Sequence, residues 1–290
     1  MLEKRWCHWL LTCSLLFFTS SAFSAMWTVT YPRPLDDSDK RSEYPIALLQ
    51  LALDKTGVNY ELLASDRILL SGKAIRQLKE NREVNVVWSM TDAQRERDLI
   101  PIRIPIAKGL IGLRLLVINK EQQDVFSELN SRRRLMTMSP LQGDDWPDTK
   151  ILQANGFNVV TVPDFREGYT VLERESQVFF PRSVIEVLPE LAEGRRENKF
   201  MIAPDVALYY PTAMYYFVSK SNPTLARLIE TGLQRALDDG SFDELFASTY
   251  ETVLADLDIN GRQIFRLENP LLPELTPLSD TKLWYLSESQ

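Results

Sequence analysis

Histidine and cysteine are almost absent from this sequence. The only histidine, His8, and both cysteines, Cys7 and Cys13, fall within the first thirteen residues. Those residues have the layout of a leader. Lys4 and Arg5 supply a positive start, residues 9–18 form a short apolar run, and Ser20-Ser21-Ala22-Phe23-Ser24-Ala25 offers small residues at cleavage spacing. That order is the signature of a secretory signal peptide, and its apolar stretch is too short to cross a bilayer. Cleavage is expected after Ser24, with Ala22 at the −3 position. The product would begin at Ala25 in the periplasm and contain neither residue type.

These absences narrow the chemistry. Ser-His-Asp and Cys-His nucleophilic mechanisms need an imidazole or a thiolate. Zinc, haem and iron–sulfur sites lose their usual ligands, so no metal and no cofactor is expected. Disulfides are excluded too, and an exported chain must then rely on ordinary core burial. A second long apolar run is also lacking, which leaves no candidate transmembrane helix after the leader. Positive charge is in deficit: 33 Lys and Arg face 40 Asp and Glu, a formal charge of −7. An acidic chain is a poor non-specific nucleic-acid binder, and no nucleic-acid partner is expected. Paired carboxylates such as Asp144/Asp145 and Glu173/Glu175 are sequence neighbours of the solvated kind, and the chain is not expected to be an enzyme.

What remains is ample apolar material, 44% of the chain, spread over about 265 exported residues, enough for one large domain or two medium ones. Strand and helix patterns alternate. Residues 27–31, 58–63 and 84–88 read as strands, with helices over 44–55 and 72–81 between them. Further strands are expected at 113–118, 135–138, 157–162, 178–180 and 213–218. Helices are expected at 124–131, 149–155, 169–175, 184–193, 223–239 and 242–252. This rhythm predicts α/β layers with mostly parallel sheets. The tail after Leu267 carries Pro270, Pro273 and Pro277 and is expected to be extended.

Several stretches, taken in order, resemble the family 3 extracellular solute-binding proteins, which have the type 2 periplasmic binding protein fold. They are the Tyr31-Pro32 strand end, Ser89-Met90-Thr91-Asp92-Ala93-Gln94-Arg95 after a buried strand, Ile104-Pro105-Ile106 before the crossover, the loop from Ser139 to Trp146, and Asp238-Asp239-Gly240-Ser241-Phe242 at a late helix pair. Trp-Ser-Met-Thr at Trp88, Pro-Ile-Arg-Ile-Pro at Pro101, Trp-Pro-Asp at Trp146 and Phe-Pro-Arg at Phe180 resemble an exported sub-group of that fold. The resemblance implies two α/β lobes joined by crossover strands near 109–115 and 211–216. Lobe 1 would combine 25–111 with 216–290, lobe 2 would be 112–210, and 268–290 would be a Pro-rich strap on lobe 1.

The same resemblance implies a clamp that closes on a small ligand, as a monomer, and serves a transporter of the ABC type or a sensor. The other reading is a non-catalytic partner-binding module on the same fold that has lost small-ligand binding. Within the cleft, Arg95 would take a ligand carboxylate, with Arg97 the alternative because the Thr91-to-Arg95 spacing is one residue longer than the family's. A surface role, paired with Glu96 or Asp98, is the plainer alternative. Tyr31, Trp88, Ser89 and Thr91 would line lobe 1; Ser139, Gln142, Trp146, Phe180 and Arg182 would line lobe 2. Arg182 stands where amino-acid binders carry an acid for the ligand ammonium, which points to an anionic ligand. The alternative is that Arg182 pairs with Glu186 one helical turn on.

Overall fold

The computed structural model describes residues 26–37, 39–127 and 131–286. The expected leader, with His8, Cys7 and Cys13, lies outside the described residues. The first lobe begins with β1 (Trp27–Arg33), α1 (Glu43–Thr56), β2 (Tyr60–Ile68), α2 (Ser71–Lys79), β3 (Val86–Met90), α3 (Ala93–Asp98) and β4 (Leu99–Ile102). The chain then enters a second lobe with β5 (Leu113–Asn119), α4 (Gln123–Ser127), α5 (Arg132–Leu135), β6 (Ser139–Gly143), α6 (Pro147–Ala154) and β7 (Val160–Val162). The lobe continues with α7 (Phe165–Arg174), β8 (Val178–Ser183), α8 (Val187–Ala192) and β9 (Phe200–Tyr209). It returns through β10 (Met214–Ser219), α9 (Pro223–Asp238) and α10 (Ser241–Asp256), and ends with β11 (Gln263–Arg266) and an irregular tail.

In the first lobe β1 and β2 pair in parallel, and β10 runs antiparallel between β3 and β4. Asn85 joins these pieces: its side chain accepts from the Thr30 N–H (2.8 Å) and its own N–H donates to the Thr30 carbonyl (2.9 Å). The second lobe is one sheet in the order β11-β9-β5-β8-β6-β7, with β5 antiparallel to both neighbours and the rest parallel. The fold is therefore α/β and two-lobed, with strands of both directions. Helices α1 and α9 cross on one face of the first lobe and bury Leu48, Leu49 and Leu53 with Ile229 and Leu233.

The chain crosses between the lobes at 103–112 and 210–213. Here Gly112 accepts from the Tyr210 N–H (3.2 Å), and a Cβ on Gly112 would overlap the Tyr210 carbonyl oxygen. Two crossing backbones this close admit only glycine.

Four expectations are corrected. The strand expected at 135–138 sits four residues later as β6, because Ser131 caps a short helix in its place. The helix expected at 184–193 shrinks to α8, because β8 continues to Ser183, whose N–H donates to the Glu186 carboxylate (3.2 Å). Strand β9 went unseen because Pro204 and Asp205, the latter at φ 61°, interrupt its pattern. Finally, the stretch after 216 does not stay on the first lobe. β11 adds to the second lobe's sheet beside β9. The tail then returns over the crossover, Asn269 donating to the Pro211 carbonyl (2.9 Å) and the Tyr285 N–H to that of Lys108 (2.9 Å). Trp284 packs against Gly109, which sits at φ 76° and leaves no room for a Cβ. The strap thus ties the two lobes across the hinge.

Candidate functional site

Between the lobes lies a cavity of about 260 Å³ at the carboxyl ends of β1 and β3 above and β6, β7 and β8 below. Open α/β sheets place their binding crevices at this end of their strands. Lobe 1 contributes the loop after β1, with Leu35, Arg41 and Tyr44, the loop after β2, with Leu70 and Ser71, and the end of β3, with Trp88, Ser89 and Met90. Lobe 2 contributes Arg114 from β5, Trp146 and Asp148 at the start of α6, Asp164 and Phe165 at the start of α7, and Arg182, Ile185 and Glu186 after β8.

The charged groups in this cavity are engaged with one another. Arg182, 1% exposed, makes a two-pronged bond to Glu190 (2.7 and 2.6 Å) and reaches Glu186 at 3.3 Å. Its guanidinium lies over the rings of Trp146 (4.9 Å) and Phe180 (4.8 Å), which stack nearly parallel. Arg114, also buried, pairs with Asp148 (2.6 Å) and Glu186 (3.3 Å). Asp148 additionally accepts from the Tyr210 hydroxyl. Near the β1 loop, Arg41 grips Asp39 through one guanidinium edge, Nε and Nη2 each donating at 2.8 Å, and covers the Phe165 ring at 3.8 Å. The Asp164 carboxylate caps α7, accepting from the N–H groups of Arg166 and Glu167.

Protonation follows this pairing. Burial alone would lower the Arg182 guanidinium and raise the Glu186 carboxyl, but their opposite neighbours win: Arg182 is pushed up by Glu186 and Glu190, and Glu186 is held below the usual carboxylate range by Arg182, Arg114 and Arg41. Arg95 goes the other way, lowered because burial outweighs Asp92.

Of the ten residues expected at the site, Trp88, Ser89, Trp146 and Arg182 line the cavity. The structure places the other six elsewhere. Tyr31 packs on Trp88 at 6.0 Å. Thr91 is buried, its hydroxyl donating to Glu96 (2.8 Å). Ser139 begins β6 at the far end of that strand from the cleft, and Gln142 is buried with its amide donating to the Pro181 carbonyl (3.3 Å). Phe180 lies beneath Arg182. Arg95 is turned inward and Arg97 outward, but Arg95 is spent on the protein itself. It pairs with Asp92 (3.2 Å) and donates to the Met90 carbonyl (3.1 Å) and, across the cleft, to that of Asp145 (3.3 Å).

Other contacts also bridge the lobes. The Asp145 carboxylate accepts the Gly72 N–H (2.5 Å) at the start of α2, a helix whose own N-cap, Leu70, has no side-chain acceptor. Arg166 reaches Asp36 at 2.7 Å, and Arg114 points to the Met90 sulfur at 3.2 Å.

Sequence reasoning missed Arg114, Asp148 and Glu190. Arg114 carried a signal: it is the one charge inside the apolar run Leu113-Arg114-Leu115-Leu116-Val117-Ile118, and a charge in a buried strand needs a partner.

No family model and no curated protein matches this sequence. Solved structures do match in shape. The ligand-binding core of GluR0 from Nostoc punctiforme, in complex with L-glutamate, is similar over 78% of this chain and 99% of its own, with TM-score 0.56 and 16% identity. An arginine-specific periplasmic binding protein from Salmonella typhimurium covers 78% and 99%, with TM-score 0.57 and 14% identity. The periplasmic VFT2 domain of BvgS from Bordetella pertussis covers 77% and 93%, with TM-score 0.59 and 16% identity. The chain has the type 2 periplasmic binding protein fold. At these identities the likeness is one of architecture. In that fold the cavity described above lies in the cleft between the lobes. Among the described residues no His, Cys, Asp or Glu cluster is arranged to hold a metal ion, and no helix is long and apolar enough to cross a membrane.

Proposed function

We propose that this chain is an exported solute-binding protein that shuts its lobes over a small molecule and delivers it, or reports it, to a membrane transporter or sensor. The mechanism is clamping without bond chemistry. One observation carries the reading: a cavity of about 260 Å³ lies between the two sets of strand ends and is bridged at its edge by Asp145. Neighbours of the same fold are described with glutamate or arginine as their ligands, which supports a small solute here. Trp88, Ser89, Trp146 and Arg182 are the residues proposed to meet it. Arg95 acts instead through the bridge to Asp145.

The anionic preference expected from Arg182 assumed an uncompensated charge. With Glu186 and Glu190 on that guanidinium, the support for it is gone.

A thermal melt of the exported protein against amino acids, dicarboxylates, phosphorylated metabolites, amides and short peptides tests the reading. Ligand at a hundredfold over its dissociation constant adds about 2.7 kcal/mol. Such a shift, lost in Trp146→Ala, is expected; a flat panel would sink small-molecule binding.

A second reading is favoured by the bridges themselves. Asp145, Arg95, Arg166 and Arg41 all hold the cleft shut with the protein's own groups. A partner-binding module needs only that rigid closed shape. Small-angle scattering that reports the compact form both with and without the panel would favour it.

A further inference from the structure

We propose that the cleft takes a small uncharged molecule, apolar over most of its surface and carrying one or two hydrogen-bonding groups, and that it rejects anions and ammonium ions alike. This rests on the solute-binding reading and names its ligand class.

Each buried or half-buried arginine of the cavity wall is paired with an acid, and Arg114 Nε is the one buried guanidinium nitrogen there left without a partner among the described residues. Arg182 is met by Glu190 and Glu186, Arg114 by Asp148 and Glu186, and Arg41 by Asp39. Asp164 accepts two backbone N–H groups at its Oδ1 oxygen and lies at the start of α7. The remaining lining cation, Arg33, is exposed to solvent and donates through Nε to the Ser65 carbonyl (2.7 Å). A charged ligand entering the cavity gives up its hydration and needs a free opposite charge in return. To obtain one it must take an arginine from its acid, or an acid from its arginine, and leave the partner buried and unpaired.

The start of α6 shows how complete this is. A helix N-terminus ordinarily attracts an anion. Here Pro147 removes one N–H from the first turn, and Asp148 in that turn adds a carboxylate that is engaged by Arg114 and Tyr210 and not by the helix N–H groups. The second lobe thus carries an acid of its own in the first turn of α6, and a neutralised guanidinium at the end of β8.

The rest of the wall suits an uncharged guest. Trp88, Trp146, Leu70, Ile185, Met214 and Phe165 give it apolar faces, and the hydroxyls of Ser42, Ser71 and Ser89 are neutral groups that donate and accept. A cavity of about 260 Å³ has room for a compact small molecule.

Isosteric probes test this directly. Benzamide, benzoate and benzamidinium share one shape and differ in charge, as do hexanamide, hexanoate and hexanamidinium. Binding of all six to the exported protein at pH 7 would be read by tryptophan fluorescence and by melting shift. Each amide is expected to bind at least tenfold more tightly than its charged counterparts. A charged probe that matches or beats its amide overturns the ligand class while leaving solute binding intact. Failure of all six overturns the ligand class, and the wider panel above then decides solute binding. Glu190→Gln provides the second arm: it keeps the shape and removes one negative charge from Arg182, so benzoate should gain at least tenfold. No gain would show that internal pairing is not what excludes anions, and the assignment would fall.

Discussion

The two lobes hold the same cavity by different means. Lobe 1 presents mostly apolar side chains and strand ends, Leu35, Leu70, Trp88 and Ser89, beside the single Arg41–Asp39 pair, mounted on a core of interlocked leucines between α1 and α9. Lobe 2 presents a wall whose backing is ionic: Arg114, Asp148, Arg182 and Glu190 are all at most 3% exposed. A buried ion network adds little net stability over an apolar core of the same volume, yet it is costly to break one member at a time. It also fixes geometry, because each charge must stay where its partner is. Lobe 1 therefore behaves as a cover of ordinary hydrophobic construction, and lobe 2 as the rigid half that sets what fits.

The largest test of this contrast is Arg182→Met. It leaves Glu190 buried without a cation and should cost about 3–5 kcal/mol in urea unfolding, whereas Arg182→Met with Glu190→Met should recover most of that loss. If the double variant is as weak as the single one, packing and not pairing holds this wall. On the apolar side, Leu48→Ala, at a fully buried position of α1, should cost about 2–5 kcal/mol, with no charge-balancing partner change able to rescue it.

Acid sharpens the comparison further. Glu186 titrates in the folded state below its ordinary value of 4.5, so its stabilising contribution is complete above that value and is lost as pH falls through the lower, folded one. The melting temperature should hold steady from pH 7 to near 5 and drop below about 4.5. The drop should be shallower in Glu186→Gln; an unchanged profile would remove Glu186 from the account.

The smallest expected effect is at the seam. Asp145→Ala removes the cap that lobe 2 lends to α2 and should cost about 0.5–2 kcal/mol, the range for losing an N-cap. Small-angle scattering should show a more open average shape. A compact Asp145→Ala protein would mean that Arg166–Asp36 and the strap hold the cleft without it.

Much of the architecture was legible because it is local. The alternation of strand and helix periods from Trp27 to Val87, the glycine closing α1 at Gly57, and the helix pair around Gly240 are patterns within windows of a few turns. Trp88, Ser89, Trp146 and Arg182 reached the cavity because strand ends and the loops after them are where this topology puts its crevice. Arg95 shows the limit. Its type and place suited carboxylate binding, but whether a guanidinium is free depends on who else is nearby, and Asp145 lies fifty residues away. β9 and β11 were illegible for a different reason: Pro204 and Asp205 spoil the strand pattern of one, and the other is a short edge strand that owes its form to β9.

By itself the sequence determined the α/β layering and the order of the pieces, since short-range periodicity suffices for those. Even one pairing in the network was within its reach, Arg182 with Glu186 at a spacing of four. Tertiary structure alone decided that Glu190 would complete that pair, that Arg114 would meet Asp148 from 34 residues away, and that the tail would cross the hinge. The reason is physical. Charge neutralisation and burial are properties of a volume, and a chain brings its distant residues into one volume only when it folds.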